Sequence, residues 1–336
     1  MGLDLPPDLA NQPQLFEASN NPLLRLKDLR VEYSTPRGSV HAVDGVTIDI
    51  WPGEFIGLAG ESGCGKSTIA QAILRVLHPP AVITGGEIWF EDQDVLSMDL
   101  TDLERFRWQA VSLVFQSAMN ALNPVMRIRD QITDVLEVHS KLKRAEAVQR
   151  ALELLDLVGI EQKRLADYPH QLSGGMRQRV VIAIALALNP KMIIMDEPTT
   201  AVDVVVQQQI IQETEDLKEK LGFSIMFITH DLSLLVEISD RIGIMYAGEI
   251  VELAPSRSLF THPLHPYTQG LMSSFPALTG ARERLTGIPG TPPDLVFPPP
   301  GCRFHLRCPA VQSRCKAGKP AYREVSPGHF VACHLV

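Results

Sequence analysis

The chain has 336 residues, a formal net charge of -8, and 45% apolar against 21% charged residues. That length allows about two domains of ordinary globular composition, with enough apolar residues for a sizeable core. The acidic balance argues against a nucleic-acid binder, and no secretory signal is visible. The longest apolar run, Val180 to Leu188, falls far short of the roughly 20 residues that span a bilayer, so a soluble protein is expected.

Residues 1–22 are polar and Pro-rich and read as a loosely packed tail. Alternation at Leu24 and Leu26, then Leu29, Val31 and Tyr33, and again at Val46, Ile48 and Ile50, predicts antiparallel strands around a turn at Pro36-Arg37-Gly38. Phe55 to Ala59 reads as a short buried strand, followed by a Gly-rich loop and an apolar helix over Ile69 to Leu77. Between about 118 and 180 the period becomes helical; Ala151, Leu154, Leu155 and Val158 share a face that Gly159 ends. Buried strands follow at Met192–Met195 and Phe223–Ile228. Ile242–Tyr246 and Glu249–Glu252 form a hairpin about Ala247-Gly248. After about residue 261 the composition shifts. A proline-rich stretch (Pro289, Pro292, Pro293, Pro298–Pro300) precedes Cys302, Cys308, Cys315 and Cys333, in a segment too poor in apolar residues to fold unaided.

Three motifs carry chemistry. Gly60-Glu61-Ser62-Gly63-Cys64-Gly65-Lys66-Ser67, followed by Thr68, fits the phosphate-binding loop. Its glycines let backbone N–H groups wrap phosphate oxygens ahead of a helix N-terminus. Lys66 reaches the β- and γ-phosphates, and the Ser67 hydroxyl can ligate Mg²⁺. Met192 to Glu197 is an apolar strand ending in two acids. Asp196 is expected to hold Mg²⁺ through water and Glu197 to polarise the attacking water. Leu172-Ser173-Gly174-Gly175 opens a second helix with another anion-binding N-terminus. One nucleotide cannot use both on one chain unless they converge.

Together with the order of these motifs, the Leu-Ser-Gly-Gly run resembles the signature of ABC ATPases, and the resemblance covers residues 24 to about 255. It implies a fold: an α/β P-loop NTPase core with an antiparallel β subdomain and a helical subdomain, over residues 23–260. It implies a head-to-tail dimer with a second ABC ATPase subunit, in which Ser173, Gly174 and Gly175 close on ATP held by the partner. It also implies roles for Gln116 (Mg²⁺ contact), Asp203 (dimer interface), His230 (γ-phosphate) and Tyr33 (adenine stacking). Cys64 stands where the family usually has a smaller residue. It is either a tolerated small side chain or a thiol whose pKa is lowered by Lys66 and whose oxidation blocks ATP binding.

Within that family the chain is similar to the ATPase subunits of dipeptide and oligopeptide importers. The likeness rests on Phe115-Gln116-Ser117-Ala118-Met119-Asn120-Ala121-Leu122-Asn123-Pro124, on His262-Pro263-Leu264-His265-Pro266-Tyr267, and on the four-cysteine end. Peptide import is therefore the expected function, with two transmembrane permease subunits and an extracytoplasmic substrate-binding protein as partners, at the cytoplasmic face of the membrane. Relatives that carry nickel, glutathione or oligosaccharides are the alternative. A soluble ABC ATPase acting on nucleic acid or ribosomes is the different-class rival, disfavoured by the single cassette and the acidic charge. For residues 261–336 the expectation is a four-cysteine metal site. The spacing lacks the tight Cys pair of structural zinc sites, and the resemblance favours a 4Fe–4S cluster on Cys302, Cys308, Cys315 and Cys333 over zinc.

Overall fold

The computed structural model describes residues 21–115, 121–198, 204–273 and 287–336. Gln116, Asp203 and residues 1–20 of the expected tail lie outside them. Two sheets organise the chain. The smaller is antiparallel, in the order β2-β1-β4-β5. Its strands are β1 (Leu24–Thr35), β2 (Gly38–Ile50), β4 (Ala81–Phe90) and β5 (Gln93–Asp94). The apolar phase slip between Leu26 and Leu29 is a register shift in the β1–β2 pairing, with Asp28 at φ 49°. Both runs of leucines therefore stay on the buried face although their spacing is odd.

The larger sheet has eight strands, ordered β11-β12-β10-β9-β3-β8-β7-β6. Its parallel part is β9 (Arg241–Tyr246), β3 (Phe55–Ala59), β8 (Ser224–Thr229), β7 (Met192–Asp196) and β6 (Val111–Val114). Successive residues of these strands serve two different cores. Phe55 and Ala59 of β3 and Ile193 and Met195 of β7 pack with the helical side. Ile56, Leu58, Met192 and Ile194 pack under the antiparallel sheet and α1 (Lys66–Ile73). Burial on both faces explains why these segments read as unbroken apolar runs. The apolar helix is α1; it begins three residues earlier than its apolar run and stops before Leu77.

After α2 (Leu100–Arg105), the helical part consists of α3 (Ile128–Ser140), α4 (Arg144–Leu157) and α5 (Gly174–Ala185), packed on one another. Gly159, at φ 66°, follows the end of α4 as its sequence suggests. α6 (Val204–Leu221) and α7 (Leu232–Ile238) complete the cover of the larger sheet.

The C-terminal extension joins this sheet. From β9 the chain turns through Ala247-Gly248, both at positive φ, into β10 (Glu249–Pro255). It continues through α8 (Ser256–Thr261) and α9 (Pro266–Met272) and along irregular chain from residue 287, past α10 (Ser313–Ala317). It then returns as β11 (Arg323–Ser326) and β12 (His329–Val331), and β12 pairs antiparallel with β10 at Glu252↔Val331 and Leu253↔Phe330. Phe304 packs edge-on to Tyr246 at 5.2 Å between ring centroids, with Tyr267 at 5.4 Å, and all three rings are buried. The extension thus gains its apolar cover from the larger core.

Candidate functional site

The phosphate-binding loop leaves β3 at its C-terminal end and opens α1, at the edge where parallel sheets bind ligands. Two glycines are fixed by space as well as by backbone angle. A Cβ on Gly60 would lie 2.2 Å from the Met245 carbonyl oxygen, and one on Gly65, at φ 109°, 2.1 Å from that of Ala42. Lys66 is buried; its ammonium donates to the carbonyls of Gly60 at 2.8 Å and Glu61 at 3.1 Å, so the loop holds the lysine across its own mouth. The Ser67 hydroxyl donates to Asp196 Oδ1 at 2.9 Å. The two residues expected to share Mg²⁺, one on a helix and one at the end of β7, are therefore in direct contact. Burial raises the Asp196 pKa, opposed by the Ser67 hydrogen bond.

Glu197 adopts φ 46°, rare for a glutamate, with its N–H donating to the Ile228 carbonyl at 2.9 Å. The backbone thus turns sharply as β7 ends. Its Oε1 lies 3.6 Å from Nδ1 of His230, which follows β8 and is exposed. Tyr33 reaches the same region from the antiparallel sheet, its hydroxyl 3.3 Å from Thr68 Oγ1. Ser62, Gly63, Lys66, Ser67, Asp196, Glu197, His230 and Tyr33 thus come from four separate stretches of chain to one end of β3, β7 and β8.

The signature stands apart. Ser173 caps α5, its hydroxyl accepting from the Met176 N–H at 3.3 Å. α5 packs against α3, α4, α6 and β6, whereas α1 packs against β2 and β7. Ser173 is exposed, and Gly174 and Gly175 are half-buried.

Of the two readings of Cys64, burial favours the small side chain. Its Sγ lies 3.7 Å from Lys66 Nζ, as an activated thiol would need, yet the side chain is buried and desolvation outweighs the lysine, so its pKa is raised. It is a small buried side chain that fills space beside Gly60 rather than a reactive thiolate.

The four remaining cysteines all lie within the extension. The Cys302 N–H donates to the Cys315 carbonyl at 2.9 Å. Burial pushes the Cys302 thiol up to about 11, with further upward contributions from Cys333, Cys315 and Cys308. Burial also raises Cys308 and Cys333. Each of the four therefore lies within electrostatic reach of others. Among the described residues, no group of three or more His, Cys, Asp or Glu side chains is arranged to hold a metal ion.

Two residues that the motifs leave unassigned touch the loop directly. Tyr267 accepts from the Glu61 N–H through its hydroxyl at 3.1 Å, and Arg307 makes a two-pronged ion pair with the Glu61 carboxylate at 2.8 and 2.9 Å. Tyr267 stands in the His-Pro-Tyr run, and Arg307 immediately precedes Cys308. Both stand in runs that drew notice for other reasons, but nothing local says what they touch.

Comparison with known proteins gives the family. The ABC transporter family model matches residues 43–200, and a model described as the oligopeptide/dipeptide transporter C-terminal region matches residues 251–315. The oligopeptide transport ATP-binding protein OppD of Bacillus subtilis is 45% identical over 318 residues, 94% of this chain and 89% of that protein. This chain belongs to the ATP-binding subunits of ABC oligopeptide and dipeptide transporters. It is an ATPase that uses ATP with Mg²⁺. The dipeptide transport ATP-binding protein DppD of the same organism is 42% identical over 316 residues, covering 93% of this chain and 94% of that one. Among solved structures, a dimeric ATP-binding cassette in a post-hydrolysis state with ADP and phosphate matches with a TM-score of 0.62 and 30% identity, over 70% of this chain and 99% of that one. Among the described residues, no helix of this subunit is long and apolar enough to cross a membrane.

Proposed function

We propose that this ATPase powers import of di- or oligopeptides from the cytoplasmic face of the membrane. It would dock peripherally on two permease subunits that receive cargo from an extracytoplasmic binding protein. The observation that carries the catalytic reading is the Ser67–Asp196 contact, with Glu197 turned toward His230 beside it. Lys66 would release the loop carbonyls and neutralise the β- and γ-phosphates. Ser67 and Asp196 would hold Mg²⁺ between them, with Gln116 as a further ligand. Glu197 would orient and polarise the attacking water, and His230 would contact the γ-phosphate. Tyr33 would lie against adenine. Ser173, Gly174 and Gly175, exposed or half-buried on a separate helical layer, would close on the nucleotide of a second ATPase subunit, with Asp203 at that interface. Membrane helices would dock near residues 116–129, a stretch that includes the exposed Val125 and follows the exposed Phe115. This reading keeps a cassette over 23–260, with its helical part at about 118–180, and an extension over 261–336.

Glu197→Gln tests the catalytic assignment. Turnover should fall by about a hundredfold or more while ATP affinity is retained, and an ATP-bound dimer should accumulate on size exclusion. Hydrolysis at the parental rate would remove Glu197 from its role.

For the extension we propose a 4Fe–4S cluster held by Cys302, Cys308, Cys315 and Cys333. The donor set is all thiol, which suits such a cluster, and the four thiols lie within electrostatic reach of one another. The cysteine spacing lacks the tight pair typical of structural zinc sites. The group would serve as a structural clip. Anaerobic purification should give a brown protein with about four iron and four sulfide per chain, bleached by Cys308→Ser. A colourless protein with one zinc would sink this reading.

A further inference from the structure

The contacts of Glu61 single it out within the phosphate-binding loop. Its carbonyl accepts from the Lys66 ammonium, so Glu61 is one of the two loop residues that set where the phosphate-binding charge sits. Its other two polar groups are held from outside the cassette motifs. The N–H donates to the hydroxyl of Tyr267 in α9, and the carboxylate takes both prongs of Arg307.

Arg307 is fixed in this contact by its other bonds. Its side chain is only 6% exposed, and every N–H has an acceptor. Nε donates to the Pro289 carbonyl at 2.9 Å. Nη1 serves Glu61 Oε2 and the Tyr246 hydroxyl, and Nη2 serves Glu61 Oε1 and the Ile288 carbonyl. The guanidinium also lies over the Tyr246 ring at 5.7 Å. A lysine could not reproduce this planar, five-donor arrangement. Without Arg307, the Glu61 carboxylate would stand uncompensated in the loop that must accept a polyanion.

We propose that Arg307 and Tyr267 are positioning residues for ATP binding: the C-terminal extension braces the phosphate-binding loop through Glu61 and cancels its charge. The inference rests on reading Gly60–Ser67 as that loop. The brace accounts for an extension that reaches past the edge of the sheet to the nucleotide end of β3, and it joins the cysteine-bearing segment to the phosphate site through a single residue, Arg307.

The test uses the purified full-length chain and an equilibrium titration with a fluorescent ATP analogue. Arg307→Ala should weaken nucleotide binding about tenfold, the scale of one lost charge-assisted contact, and in steady state the loss should fall on KM more than on kcat. Adding Glu61→Gln to Arg307→Ala should recover most of the affinity, because it removes the stranded carboxylate; a merely structural role would make the second substitution neutral or harmful. Parental affinity in Arg307→Ala, or a double variant that binds no better than the single one, would overturn the brace. If Arg307→Ala does not fold, Tyr267→Phe carries the test, since it deletes one hydroxyl. Binding weakened about two- to threefold supports the proposal, and unchanged binding overturns it. Parental affinity in Lys66→Ala would overturn the loop assignment itself, a failure distinguishable from that of the brace.

Discussion

The nucleotide site and the C-terminal extension solve the same problem, holding charged groups in a half-dry place, by opposite means. The phosphate-binding loop is contiguous. Eight consecutive residues supply glycines, lysine and serine, and the decisive partner, Asp196, ends a strand of the same sheet, two places from β3. The extension is assembled from fragments. Glu252 on β10 is fully buried, yet it accepts from the N–H groups of Leu264 and His265 at 2.7 and 2.9 Å and meets His329 Nε2 at 2.8 Å. Arg303, also buried, ties the same segment to Asp44, to the Ala247 carbonyl and to Glu249. A ligand site can be written locally because the ligand supplies the missing charges. A docked extension must find its counter-charges elsewhere in the fold.

That contrast can be broken most forcefully at Glu252. Glu252→Ala should destabilise the chain by about 3–5 kcal/mol in urea unfolding, since it strands a buried histidine, one buried N–H group and one half-buried one. A loss below about 1 kcal/mol, the level of a surface pair, would mean that the extension docks through its apolar contacts alone.

His265 sharpens the comparison through pH. Burial pushes its pKa down to about 3, and its Nδ1 accepts from the Tyr267 N–H at 3.0 Å. The neutral ring is required in the folded state, whereas the unfolded chain takes up a proton near the ordinary value of 6.5. Stability is therefore full above pH 6.5 and is lost as pH falls from there toward 3, by about 1.4 kcal/mol per unit from this group. His265→Asn, whose side-chain oxygen can accept the same N–H, should flatten that part of the curve between pH 6.5 and 5. An unchanged slope in chemical unfolding would show that the ring titrates normally.

The smallest effect is expected inside the loop. Cys64→Ala should leave the KM for ATP within about twofold of the parental value and leave the sensitivity of the ATPase to peroxide unchanged, because a buried thiol with a raised pKa is a poor nucleophile. A variant that gains peroxide resistance would restore the redox reading of Cys64.

The same contrast explains what could be read before the fold was known. The strand–loop–helix at Phe55–Ile73, the acidic end of β7, the signature cap and the turn at Ala247-Gly248 were legible because each depends on near neighbours. The ten-residue strand β4 escaped notice, since its Gly85 and Gly86 and its exposed Val82 give it no clean alternation. The closeness of Ser67 to Asp196, 129 residues apart, came only from the known order of the motifs. The Arg307–Glu61 pair, 246 residues apart, had no such precedent in the motifs. The two readings of Cys64 could not be separated in the sequence because proximity to Lys66 can be read from spacing, whereas burial cannot.

Pairing between β10 and β12 also has a consequence for synthesis. Glu252 leaves the ribosome 77 residues before His329, its partner in the extension. At roughly 5–20 residues per second, the outer edge of β10 waits about 4–15 seconds for its neighbour. During that interval the nascent sheet presents unpaired N–H and C=O groups along a strand whose side chains are nearly all apolar or destined for burial. The growing chain is then most exposed to edge-to-edge association with other copies, and a slower stretch of translation over the proline-rich segment would lengthen that exposure.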